Sequence, residues 1–209
     1  MEEKKIYEGK LITLGDSLVG KTCLIYRFFE EAFMNNYLST IGCDLKKKLV
    51  NLDDGRVIKL AIYDTAGQER FKSLSLNYIK KADGIFIIYD ITNKQSFMNV
   101  ENWIKTAKED IKKNVPIYLI ANKIDLEDER VISKENGLNL SAEYNLKFYE
   151  TSCKSGANVE KCFKDMASEL YDIIDEKIKK YNNKKNKDNK DDNETIQLEL
   201  KSEKKKKCC

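Results

Sequence analysis

The chain has 209 residues, 41% of them hydrophobic and 35% charged, which is enough for one well-buried domain and too short for two comfortable ones. Its net charge of +3 lies at the C-terminus, where residues 182–209 carry nine Lys against six Asp and Glu. Residues 1–181 therefore balance, and a basic nucleic-acid-binding body is excluded. A histidine count of zero removes His-based triads and His-ligated metal sites, and no apolar run nears the roughly 20 residues that cross a bilayer. The start Met1-Glu2-Glu3-Lys4-Lys5 is no signal peptide, and Cys23, Cys43, Cys153 and Cys162 are too scattered for zinc. Reduced thiols in a cytosolic protein are expected.

In chain order, Glu8 to Leu14 reads as a buried strand. It leads through Gly15-Asp16-Ser17-Leu18-Val19-Gly20-Lys21-Thr22 into a helix ending near Phe29 or Glu30. Glu31 to Gly42 shows no clean period and predicts an exposed loop. Leu49–Leu52 and Arg56–Tyr63 flank the turn Asp53-Asp54-Gly55 and predict a hairpin; loop or irregular helix follows to Asn77. Strands at Gly84–Tyr89, Pro116–Ala121 and Lys147–Glu150 then alternate with helices at Ser96–Lys113, Ser133–Tyr144 and Val159–Lys180. The alternation predicts an α/β fold, a mostly parallel sheet of six strands with helices on both faces. Residues 1–180 form the expected domain. Residues 181–209 read as a disordered tail ending in Lys204 to Lys207, Cys208 and Cys209.

The spacing Gly15 to Thr22 fits the phosphate-loop pattern G-x-x-x-x-G-K-[ST] between a strand and a helix. Glycines let successive N–H groups turn toward phosphate oxygens, and the helix start adds its dipole. Lys21 would reach the terminal phosphates as a point charge, and the Thr22 hydroxyl would bind Mg²⁺. The bland reading is a glycine-punctuated turn. Asp64, at a strand's carboxyl end, could hold Mg²⁺ through water or could simply cap its strand, and the Gly67 N–H could sense a γ-phosphate. Asn122-Lys123-Ile124-Asp125 follows another strand. Its carboxylate can accept from the N1–H and exocyclic amine of guanine, a donor pair that adenine lacks. Alone, the tetrapeptide is turn-like and weak.

Together with Ser39-Thr40-Ile41-Gly42, Asp64 to Phe71 and Glu150-Thr151-Ser152-Cys153-Lys154, these motifs resemble those of a small GTPase of the Ras superfamily, specifically the Rab family. The resemblance covers roughly residues 6 to 180 and the last two residues. It implies the phosphate-loop small-GTPase fold, a monomer, and a GTP/GDP switch in vesicle traffic with slow GTP hydrolysis. It implies Thr40 as a second Mg²⁺ ligand and Gln68 as the residue that orients the attacking water. Cys23 and Phe33 would lie against the nucleotide, and Ser152, Cys153 and Lys154 would close over guanine. It also implies an exchange factor, an activating protein, effectors, a dissociation inhibitor and an escort protein. Cys208 and Cys209 would be geranylgeranylated, so that the protein cycles between cytosol and membrane. A phosphate-loop kinase or ATPase, and a GTP-bound scaffold without hydrolysis, are the rival readings. Asn122 and Asp125 stand against the first and Gln68 against the second.

Four positions depart from the family pattern. Leu18 replaces a small residue and would be strained if its φ is positive. Leu45 and Tyr63 replace the Phe and Trp that normally join Tyr78 in an effector-binding cluster, by tolerant packing or with altered partner choice. Cys153 stands where alanine is usual; since the backbone N–H is the expected contact, it should matter little.

Overall fold

The computed structural model describes residues 5–33, 43–65, 78–111 and 115–187. Strand β1 (Ile6–Leu14) leads to helix α1 (Lys21–Glu30), followed by β2 (Cys43–Asn51), β3 (Val57–Thr65) and β4 (Gly84–Asp90). Helices α2 (Lys94–Met98) and α3 (Val100–Asp110) precede β5 (Ile117–Asn122), α4 (Lys134–Tyr144), β6 (Lys147–Thr151) and α5 (Val159–Lys187). The six strands form one sheet in the order β2-β3-β1-β4-β5-β6, with only β2 antiparallel to its neighbour. The chain divides into residues 1–175 and 176–209.

The unbroken apolar runs explain the centre of the sheet, because β4 and β5 are buried along their whole length. Ile85, Ile87 and Tyr89 face Val100, Ile104 and Ala107 of α3, in one core with Ile12, Leu14 and Leu119. Across the sheet Phe86 meets Phe163 of α5 at 5.0 Å between ring centroids, and Phe163 stacks on Phe28 of α1 at 4.1 Å. Helices thus cover both faces. The β2–β3 turn closes through Leu52 N–H to Arg56 O and Gly55 N–H to Leu52 O, both at 2.9 Å.

Three expectations need correction. Strand β2 starts at Cys43, not Leu49. Its residues Asp44 to Lys48 show little apolar alternation because a lysine head group makes the contact with α1: Lys48 Nζ lies 4.7 Å from the Phe28 ring centroid and donates to Phe28 O at 2.6 Å. The helix expected over 96–113 is two segments, 94–98 and 100–110, with Asn99 between them. Asn93 caps the first by accepting from Ser96 N at 3.1 Å. Helix α5 runs to Lys187, seven residues into the expected tail, and its 176–187 portion carries the Lys180–Glu176 pair at 3.2 Å.

Candidate nucleotide site

Parallel strands bring their carboxyl ends to one edge, and the loops that leave those ends carry the motifs. The loop after β1 is shaped by its backbone, since φ is positive at Gly15 (141°), Leu18 (66°) and Gly20 (97°). A Cβ on Gly15 would sit 2.2 Å from Ile88 O, and one on Gly20 would sit 2.4 Å from Asn122 Nδ2. Only glycine fits either place. Gly20 also starts α1 without a side-chain cap, which leaves the first-turn N–H groups for an anion.

Lys21 opens α1 and is 5% exposed, with Nζ donating to Gly15 O at 2.9 Å and Asp16 O at 2.6 Å. Burial pulls its pKa down to about 8, against the opposing charges of Asp64 and Asp16. The ammonium rests on loop carbonyls, and a phosphate would be its natural counter-charge. Asp64 is buried at the end of β3, opposite Asp44 in the ladder and close enough for Lys21 to feel its charge. The Thr22 hydroxyl and the Asp64 carboxylate are hard oxygen donors of the kind Mg²⁺ takes, so the residues present fit that ion.

The base side is built from side chains. Asn122, 1% exposed at the end of β5, donates from Nδ2 to Val19 O at 2.9 Å, and its Oδ1 accepts from Thr151 Oγ1 at 3.2 Å. One amide therefore ties the phosphate loop to β5 and β6. Asp125 accepts from Ser152 Oγ at 2.5 Å, and that hydroxyl in turn accepts from Ser155 N at 3.0 Å. Lys123 has φ of 71°, and its ammonium pairs with Asp90 at 2.6 Å, which leaves only its stem to line a pocket. Cys153 differs from expectation. Its side chain is buried and its thiol donates to Asn122 Oδ1 at 3.4 Å, so it forms part of the strut; burial pushes its pKa up to about 12. Cys23 is half-buried in the first turn of α1 and Lys154 is exposed.

Ser17, Leu18 and Phe33 are exposed. Leu45 pairs with Tyr63 across β2–β3, and the Tyr63 ring lies 5.1 Å from Tyr78, so the three residues of the suggested effector cluster form one surface. Thr40, Gly67, Gln68, Cys208 and Cys209 lie outside the described residues. Sequence reasoning missed Asp90, which holds Lys123, and it missed Asn99 and Trp103. The Asn99 amide donates to Asp16 Oδ2 at 2.7 Å and Trp103 Nε1 donates to Oδ1 at 2.8 Å. An acid inside a phosphate loop was the available signal, because it calls for donors somewhere.

Residues 10–172 match the Ras family. Ras-related protein Rab-8B of Homo sapiens is 46% identical over 177 residues, 85% of each chain. Ras-related protein Rab-13 of Canis lupus familiaris is 47% identical over 161 residues, 77% of this chain and 79% of its own. Ras-related protein Rab-8A of Bos taurus is 45% identical over 172 residues, 82% and 83% of the two chains. Likeness on this scale, laid over phosphate and base loops that one buried amide joins, makes the chain a member of the Ras family and a small GTPase of the Rab type.

Proposed function

We propose that this Rab-type GTPase, which hydrolyses GTP and acts in vesicle traffic, holds its nucleotide along the carboxyl edge of the sheet with the residues described above. The N–H groups of Gly15 to Thr22 and the Lys21 ammonium take the phosphates. Asp125 reads the guanine edge, Asn122, Ser152 and Cys153 hold the base loops in place, Lys154 closes over the base, and Phe33 and Cys23 flank the nucleotide. The single observation that supports this best is the Asn122 strut, because it turns a phosphate site and a base site into one site of fixed span.

Thr22, Thr40 and Asp64 would hold Mg²⁺, which when bound supplies charge neutralisation at the β- and γ-phosphates. Gln68 orients the attacking water and the Gly67 N–H meets the γ-phosphate. Little covalent chemistry falls to the protein, in keeping with a chain that has no histidine. Thr40 and Gln68 belong to the two switch segments that GTP orders for effectors, with Leu45, Tyr63 and Tyr78 as the effector cluster. An exchange factor and an activating protein set the timing. Two lipids on Cys208 and Cys209, with Lys204 to Lys207, hold the protein on an anionic membrane surface, and replacing both cysteines by serine is expected to move it to the soluble fraction. Unchanged fractionation would refute the lipid anchor.

Fluorescent GDP bound to the purified chain should be displaced by GTP and GDP but not by excess ATP. Asp125→Ala should weaken it by about 10- to 100-fold through loss of a charged hydrogen-bond acceptor. Displacement by ATP, or an Asp125→Ala variant that binds GDP as the parent does, would overturn this site.

A further inference from the structure

The second residue of the phosphate loop is an acid, and a carboxylate beside phosphates is electrostatically wrong on its face. Asp16 is half-buried, and its charge is already felt at the Lys21 ammonium, which its own backbone carbonyl holds at 2.6 Å. A free Asp16 side chain would both repel an incoming phosphate and compete for that lysine. Both of its oxygens are instead taken by donors from elsewhere in the chain. Asn99 Nδ2 donates to Oδ2 at 2.7 Å and Trp103 Nε1 donates to Oδ1 at 2.8 Å, short bonds of the charge-assisted kind.

These donors are themselves held. Trp103 packs against the core that α3 shares with the sheet. Asn99 sits between α2 and α3, its backbone N–H bonded to Gln95 O at 3.0 Å and its Oδ1 accepting from Gln95 Nε2 at 3.1 Å. The Gln95 bond leaves the Asn99 amide nitrogen as the group that faces Asp16. Residues 83 and 87 positions away along the chain thus fix the direction of one loop side chain.

We infer that Asn99 and Trp103 are positioning residues for nucleotide retention: they anchor the Asp16 carboxylate so that it neither faces the phosphates nor captures Lys21. The inference rests on the nucleotide reading above. It gives Asp16 a role opposite in sign to that of the other loop residues. The carboxylate is a liability kept in check, so removing its charge should repair the loss of its anchors.

The test is the release rate of fluorescent GDP from the full chain, with urea unfolding run on every variant. Trp103→Phe keeps the ring and removes the N–H; it should speed release by about tenfold, the loss of one charge-assisted hydrogen bond. Asn99→Ala, at a half-buried position, should do the same to a smaller extent and gives a second route if Trp103→Phe folds poorly. Adding Asp16→Asn to either variant should bring release back to within about threefold of the parent, since a neutral amide neither repels phosphate nor pairs with lysine. A purely structural network would instead make each double variant release GDP as fast as its single variant or faster, and that result overturns the inference. So does unchanged release in both Trp103→Phe and Asn99→Ala. A parent chain that retains no GDP would refute the nucleotide reading itself, a different failure visible before any variant is made.

Discussion

The two halves of the proposed nucleotide site solve the same problem with different parts of the chain. The phosphate half works through backbone: three positive φ angles, two places with no room for a Cβ, an uncapped helix start and one buried ammonium. The base half works through side chains: Thr151 and Cys153 donate to Asn122 and, separately, Ser152 donates to Asp125, over 2.5 to 3.4 Å. Backbone shape fails abruptly, because a main-chain atom cannot give way. A side-chain network fails in steps, one donor or acceptor at a time.

That contrast predicts which changes hurt most. Gly15→Ala puts a methyl 2.2 Å from the carbonyl oxygen of Ile88, at a φ of 141° that an L-residue resists. Overpacking and backbone strain together should cost about 2 to 5 kcal/mol of stability in urea unfolding and abolish nucleotide binding. In the base half, Ser152→Ala removes a hydroxyl that donates to Asp125 and accepts from Ser155 N, so its cost should be about 1 to 2 kcal/mol. Equal losses at the two positions would mean that the distinction between the halves is false.

A smaller effect separates the halves by pH. Burial raises the Cys153 thiol from 9.0 to about 12, so below about pH 9 it is protonated whether the chain is folded or not. Between those values the unfolded chain gives up the proton first, and stability falls as pH rises. From pH 8 to 10 the parent should lose about 1 kcal/mol more than Cys153→Ala, which has nothing to titrate there. Urea midpoints of the two proteins at both pH values measure this. Parallel pH profiles would show that the thiol is not part of the buried strut. The same burial should keep Cys153 unreactive to iodoacetamide in the native protein.

The contrast also explains what the sequence revealed. Strands β4 and β5 were legible because Gly84 to Tyr89 and Pro116 to Ala121 are nearly unbroken apolar runs, and Gly15 to Thr22 was legible because its spacing is dictated by a local turn. Asn122 and Asp125 drew notice by their position just after a strand. The span of Asn122 to Val19, 103 residues away, left no local trace, nor did the grip of Trp103 on Asp16. Strand β2 was half-hidden because Lys46 and Lys48 take places where apolar residues are expected, their ammonium groups lying over the rings of Tyr26, Phe28 and Phe29. Periodicity reports burial by hydrocarbon residues and misses lysines held over aromatic rings.

The smallest predicted effect bears on the phosphate half alone. Leu18 sits at φ 66° and is 65% exposed, so it strains the backbone and buries little in return. A left-handed leucine costs about 1 to 2 kcal/mol, and glycine returns about 0.5 to 1 of that through the entropy of the unfolded chain. Leu18→Gly should therefore stabilise the nucleotide-free protein by about 0.5 to 1 kcal/mol in urea unfolding. GDP binding should survive in parent and variant alike, because the loop path is the same in both. A stability loss would mean that the exposed leucine is held by contacts and that side chains, too, shape this loop. A gain of the expected size would leave the strain at Leu18 as a cost the fold carries, set by the loop path that the glycines on either side require.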